Sequence, residues 1–206
     1  MTKKQVGSPT RTRLTPGTVV DAALCLLDEE GLESVTMRAV AARLGVRMNT
    51  VLWHVKTKRR LLELMADAVA ATITYDNLPD EAGEQVKELM RRYRQSLLSR
   101  RDGAALVTGT YAAEPHTLRF ADALLASLAK HESTTETSGR TLYALAYFTL
   151  GLTQEEQAMT DFDEARFREA AESGPYPSLR ESLAVLSEDT FAARFEDGVR
   201  RILGAA

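Results

Sequence analysis

Cysteine is nearly absent from this 206-residue chain: Cys25 stands alone. One thiol cannot close an internal disulfide or build a thiolate metal cage, so a reducing cytoplasm is the natural setting. Histidine is as scarce. His54, His116 and His131 lie far apart, without HxH or HxxxH spacing, so no metal site and no cofactor is expected. Nothing in the spacing brings a serine or cysteine nucleophile to a histidine and an acid. His116 near Glu114 and His131 near Glu132 read as surface-helix pairs, not catalytic dyads. No apolar run approaches the ~18 residues of a membrane span, and Lys3-Lys4 is not followed by a signal-peptide core. The expectation is a cytoplasmic protein that is not an enzyme.

What the chain does contain is ordinary for a folded protein: 44% hydrophobic and 27% charged residues, with length enough to bury a core. The net charge of −3 conceals an asymmetry. Met1 to Tyr75 holds eleven basic and seven acidic residues, whereas the remainder holds fifteen and twenty-two. A basic head on an acidic body suits a protein that meets nucleic acid with one end.

Ser34 to Met65 organises that head. Thr36 is an N-cap, and Met37, Val40, Ala41 and Leu44 repeat at helical spacing. Gly45 follows where a helix end needs positive φ, and a second short helix runs from about Arg47 to His54. Val51 faces inward, while Met48, Asn49, Thr50 and His54 face outward. Two short helices about a glycine turn form a helix-turn-helix, whose second helix fits the major groove. Arg38, Met48, Asn49, Thr50 and Leu52 are placed to read bases, Asn49 by pairing with adenine. Arg47, His54, Lys56 and Lys58 are placed to hold phosphates, with Arg59 and Arg60 crowding the same end. His54 serves a phosphate or caps the helix end. Trp53 reads as a wedge between this helix and the core, with its face or N–H near the backbone phosphate.

The remaining elements are helices too, so the fold is expected to be all-α. Met1 to Leu14 is a polar, flexible arm in which Arg11 and Arg13 could reach a phosphate or the minor groove. Residues 15–56 form the helix-turn-helix domain. Its first helix opens at Thr15-Pro16, buries Val19, Ala22, Ala23, Leu26 and Leu27, and stops at Gly31. Cys25 is assigned to that apolar face as a small core residue. Residues 57–76 form a linker helix, capped by Thr57 and reaching about Tyr75, before Asn77-Leu78-Pro79 breaks the chain. Residues 77–206 form the body. Helices are expected from about Glu81 to Ser99, up to Thr108, and from Glu114-Pro115 to His131, the last with Leu118, Ala121, Leu124, Leu125 and Leu128 inward. Thr141 to Met159 is apolar on more than one face, which implies burial against a second chain. Thr160 to Ser173 is charged and partly helical or mobile, Gly174 to Pro177 is a loop, and Asp189 to Leu203 is a last helix.

The head resembles the DNA-binding domain of the tetracycline-repressor (TetR) family. The matching elements are Thr36, Arg38, Val40-Ala41, Leu44-Gly45-Val46, Thr50-Val51, Trp53-His54, Val55-Lys56, Lys58-Arg59 and Leu61-Leu62. LLSRRDGA (Leu97 to Ala104), Gly109-Thr110 and YFTLGLTQEEQ (Tyr147 to Gln157) are similar to the body of the tetracycline-repressor subgroup. The resemblance implies a homodimer joined through the 141–159 and 189–203 helices, a double-stranded palindromic operator as partner, and a small-molecule pocket in each body. Ligand binding would move the linker helix and spread the two recognition helices.

The departures from that subgroup change the expected effector. The family's magnesium-binding histidine falls on Val107, and Tyr111-Ala112 replaces Arg-Pro. Valine offers no donor to a hard cation. The family's drug-contacting histidine, asparagine and phenylalanine fall on Thr74, Leu89 and Tyr93, while Glu155 keeps the place of the family's acid behind the metal ligands. With Thr110, Phe120, Leu124 and Phe148, these residues point to a more apolar pocket for a flat or greasy organic effector. The expected function is a ligand-responsive transcriptional regulator, most often a repressor in this family. The alternatives are a ligand-independent DNA binder, a magnesium-chelate sensor with an altered pocket, and a small-molecule enzyme or carrier that kept the helix-turn-helix.

Overall fold

Thr15 and Thr18 cap each other reciprocally, and Pro16 brings a φ already suited to the first helical position. In the computed structural model, which describes residues 14–110, 113–132, 134–159, 163–188 and 190–204, this start opens α1 (Pro16–Glu30). Gly31, at φ 87°, ends α1 by donating to the Leu27 carbonyl. A single 3-10 turn then leads to α2 (Met37–Arg43), capped by Thr36, and α3 (Met48–Val55). Gly45, at φ 64°, lets Val46 N–H reach back to the Ala41 carbonyl, which crosses the two helices. Val19, Ala23, Leu27, Val40, Val51 and Val55 are closed into one small core.

Two side chains of this head lie differently from expectation. Cys25 is exposed, because the buried residues of α1 on either side of it leave one outward line through Asp21, Cys25 and Asp28. Trp53 is 74% exposed rather than a wedge. Val51 and Val55 take the inward face of α3, and a residue two positions on from Val51 points about 200° away from it. The indole lies instead beneath the Lys56 ammonium, 4.8 Å from the ring centre.

Thr57 caps α4 (Lys58–Ala70), which leaves the head and enters the body. It ends at Ala70, short of Tyr75. Thr72, Ile73 and Thr74 are β-branched in succession, and the Thr72 hydroxyl bonds back to the Val69 carbonyl. Ile73 is still buried, now from a non-helical segment. The body follows as α5 (Ala82–Leu98), α6 (Gly103–Val107), α7 (Pro115–His131), α8 (Thr135–Ala158), α9 (Glu164–Ser173), α10 (Pro177–Glu188) and α11 (Phe191–Ile202). No strand occurs among the described residues, and the fold is all-α. None of the described helices is long and apolar enough to cross a membrane.

α5, α7, α8 and α11 pack around Leu89, Met90, Leu97, Leu124, Leu128, Leu145 and Phe195. The inward face of α7 is Phe120, Leu124, Ser127 and Leu128, which turns Leu118 and Leu125 outward, contrary to their expected burial. α8 begins before Thr141 and buries Ser138, Thr141, Leu145, Thr149 and Thr153 on one side. On another side Tyr143 and Tyr147, one turn apart and stacked at 5.7 Å, are more than half exposed. α10 was not expected. It starts at Pro177, the end of the anticipated loop, and pairs with α9 through Ala171 and Leu183. Residues 160–162 and the N-terminal arm with Arg11 and Arg13 lie outside the described residues.

The head is joined to the body by more than α4. Arg100 pairs with Asp28 at 2.5 Å, Arg101 donates to the Glu29 carbonyl at 3.0 Å, and Asp102 accepts Leu32 N–H at 2.8 Å.

Candidate DNA interface and body pocket

The outer face of α3 is chemically open. Met48, Asn49, Thr50 and Trp53 are exposed, Leu52 and His54 half-buried. Arg38 on α2, Arg47 at the start of α3, and Lys56 and Lys58 at its far end are also exposed. Among the described residues, no hydrogen bond or ion pair engages the side chains of Arg38, Arg47, Asn49, Thr50 or Lys58. Other basic residues nearby are already matched. Arg43 forms a two-pronged pair with Glu29, Arg59 pairs with Glu63, and Arg60 pairs with Glu63 and Glu114. Arg38, Arg47 and Lys58 are left without an ionic partner among the described residues, and Arg60, which sequence reasoning placed beside them, belongs to the body contact. The surface combines unpaired guanidinium and ammonium groups with an amide and a hydroxyl on a helix of groove-fitting size.

In the body, a cavity of about 50 Å³ lies between α4, α5, α6 and α7. Tyr93 and Phe120 stack at 4.6 Å to form its aromatic side. Val107 and Thr110 close a second side, and Ala66, Val69 and Ala70 of α4 a third. Burial pushes the Tyr93 phenol far above its ordinary range, so it stays neutral. The cavity brings together Tyr93, Val107, Thr110 and Phe120 from the residues singled out in the sequence. Leu89 and Leu124 are wholly buried core residues. Phe148 stacks on Phe195 where α8 meets α11, at 6.4 Å. Thr74 lines a separate open groove of about 220 Å³ with Arg92, Gln95 and Ser96. Glu155 is exposed, and Tyr111 lies outside the described residues. Among the described residues no cluster of histidine, cysteine and acidic side chains is placed to hold a metal.

Sequence reasoning missed the α4 wall and Thr117, which also lines the cavity. It missed Asp67 entirely. This carboxylate, 7% exposed, sits on α4 against the first turn of α7. Its Oδ1 accepts the backbone N–H of His116 at 2.9 Å, that of Thr117 at 2.8 Å and the Thr117 hydroxyl at 3.0 Å; its Oδ2 meets His116 Nδ1 at 2.8 Å. Burial alone would raise the Asp67 pKa, but these hydrogen bonds from His116 and Thr117 together outweigh it and hold the carboxyl below its ordinary range. The partner of His116 is therefore Asp67, not the adjacent Glu114. The repeat of small and apolar residues along α4 was the one signal for its cavity wall. None existed for a contact spanning 49 positions.

A helix-turn-helix with an open polar recognition helix, carried on an all-helical body with its own cavity, defines a DNA-binding transcriptional regulator. The descriptions "Bacterial regulatory proteins, tetR family" and "Tetracyclin repressor-like, C-terminal domain" match residues 19–65 and 78–204. The chain belongs to the TetR family. It is 35% identical over 196 residues to the class A tetracycline repressor protein from transposon 1721 of Escherichia coli, covering 93% of this chain and 90% of the relative. A possible TetR family transcriptional regulator from Streptomyces coelicolor A3(2) superposes with a TM-score of 0.81 at 37% identity, covering 92% of this chain and 97% of that one. BioQ, solved with its double-stranded DNA operator, superposes with a TM-score of 0.66 at 28% identity, covering 84% and 99%. These relatives are transcriptional regulators, not enzymes.

Proposed function

We propose that this protein is a cytoplasmic homodimeric repressor that binds a palindromic operator and is released by a small, largely apolar organic molecule. The observation that carries the proposal is that one helix, α4, is both the wall of the body cavity and the stem of the DNA-binding head. α4 follows α3 after two residues and packs against it, so a molecule that shifts α4 bears on the recognition helix. In this reading Arg38, Met48, Asn49, Thr50 and Leu52 contact bases, while Arg47, Trp53, His54, Lys56 and Lys58 contact the backbone. Trp53 does so from the solvent side, where the Lys56 ammonium lies over its ring. The exposed Tyr143–Tyr147 pair on α8 supports a dimer formed by the 141–159 and 189–203 helices.

The pocket reading rests on the aromatic pair Tyr93–Phe120 with Val107, and on the few polar groups beside them. Thr110 already gives its hydroxyl hydrogen to the Val107 carbonyl, so it meets an effector mainly as an acceptor. Such a site favours a flat, uncharged molecule over a metal chelate.

The test is fluorescence anisotropy on DNA from immediately upstream of the gene, titrated with magnesium-tetracycline and with flat hydrophobic antibiotics. Tight binding released by an apolar compound, and not by magnesium-tetracycline, is the expected result. Release by magnesium-tetracycline would favour a chelate sensor, and binding that no compound alters would favour a ligand-independent regulator. Lys58→Ala should weaken all DNA sequences alike and reduce the slope of log K against log salt by about 0.9, measured between 50 and 200 mM salt.

A further inference from the structure

We propose that the clasp between Asp67 and the first turn of α7 is the coupling element through which the state of the body cavity reaches the recognition helix. This inference rests on the regulator reading above and assigns roles to Asp67 and Thr117 within it.

The cavity, at about 50 Å³, is several times smaller than the ~300 Å³ at which small-molecule sites begin. An organic effector can enter only if a wall moves. The α5 and α7 sides are continuous with the fully buried core at Leu89, Leu97 and Leu124, where displacement would open voids. The α4 side presents Ala66, Val69 and Ala70 and is bounded by non-helical chain at both ends. At one end Lys56 has φ 61°, and at the other Ile73 to Tyr75 is non-helical. Of the walls, α4 is the one that leads directly into the head, so its movement is the one that would reach α3.

What holds α4 against α7 is polar and specific. Asp67 accepts two backbone N–H groups and a hydroxyl from the start of α7 and meets the His116 ring. Arg60, two turns earlier on the same helix, pairs with Glu114, the residue before α7 begins. Thr117 belongs to both structures: its hydroxyl donates to Asp67 at 3.0 Å, and the residue lines the cavity. Filling the cavity and keeping the clasp thus compete for the same α4–α7 separation. The clasped state has the small cavity and the uncommitted DNA face, so the clasp stabilises the DNA-binding posture. Asp67 touches neither DNA nor the effector in this account; it is a positioning residue.

The experiment uses the full chain, with Asp67→Ala, the conservative Asp67→Asn, and Thr117→Val. Amide hydrogen exchange of the ligand-free proteins is read across residues 58–70. Affinity for the upstream DNA and for the uncharged hydrophobic dye N-phenyl-1-naphthylamine is read in parallel. Asp67→Ala is expected to speed exchange along α4 by about tenfold, since charge-assisted hydrogen bonds are lost. The same variant should weaken DNA binding by about tenfold and tighten dye binding, with Asp67→Asn between it and wild type because Asn keeps an acceptor for the two N–H groups. Destabilisation alone would also lower DNA affinity and raise dye binding, so the exchange pattern decides: acceleration confined to α4 and the start of α7 marks coupling, and equal acceleration in α5 and α8 would overturn it. Acceleration confined to the amides of His116 and Thr117, with α4 as in wild type, would overturn the clasp and leave a simple helix cap. A wild-type protein that binds neither DNA nor dye would instead strike the regulator reading. The α4 exchange pattern would then still decide the clasp.

Discussion

Gly103→Ala is expected to lower the unfolding free energy by about 1–3 kcal/mol, the range for forcing an extra methyl into a filled site. A Cβ at this position would lie 2.1 Å from the Leu97 carbonyl oxygen and 3.0 Å from its carbonyl carbon. Both are backbone atoms of the last turn of α5, so no rotamer change relieves the contact. Asp102, immediately before it, is held at φ 54°, and Gln157 of α8 donates to the Leu97 and Arg100 carbonyls and accepts Ala104 N–H. The turn is thus fixed from several directions. It also carries Arg100, Arg101 and Asp102, which tie the body to α1. Shifting it should loosen the head as well as destabilise the body. Urea denaturation followed by circular dichroism measures the loss. Gly139→Ala in α8 is the control: an added Cβ there meets nothing within 4 Å, and the exchange should be neutral or stabilising by up to about 1 kcal/mol. Equal stability for the Gly103 and Gly139 variants would show that the α5–α6 turn has slack.

Asn49→Ala should reduce operator affinity by about 1–3 kcal/mol, roughly five- to more than a hundredfold, and relax the preference at one base pair. Asn49 is exposed on the second position of α3 and its amide has no partner among the described residues, so the substitution removes no internal contact. Thermal stability should accordingly be unchanged. The measurement is anisotropy on the operator and on single-base-pair variants of it. An equal loss on every variant would reassign Asn49 from base to backbone contact, which is the behaviour expected of Lys58.

What was legible in the chain and what was not divide along sequence separation. Thr15, Thr36, Thr57 and Thr190 cap their helices through N–H groups three residues on, and Gly45 supplies its positive φ to its own turn. Such signals need no distant partner. The family motif was readable because it is contiguous from Thr36 to Leu62. Cys25 and Trp53 were misplaced although the helical phase was available, since Asp21 and Asp28 flank Cys25, and Val51 and Val55 flank Trp53. Gly174-Pro175-Tyr176-Pro177 reads as loop throughout, yet its last proline occupies the start of α10.

The cavity shows the other half of the division. Tyr93, Val107, Thr110 and Phe120 were identified by position and do meet, whereas Leu89, Leu124 and Phe148 spend their side chains on core packing. An apolar residue on an inward face serves a cavity or a core equally well until the neighbouring helices set the gap. The sequence by itself determined most of the helices, the caps of the head, the helix-turn-helix and the basic head, because those follow from interactions within a few residues and from composition. Only the tertiary structure decided that Asp67 grips the start of α7, that Arg60 turns to Glu114, and that α4 walls a small cavity. Those contacts join residues some fifty positions apart, and their partners are chosen by how the helices pack.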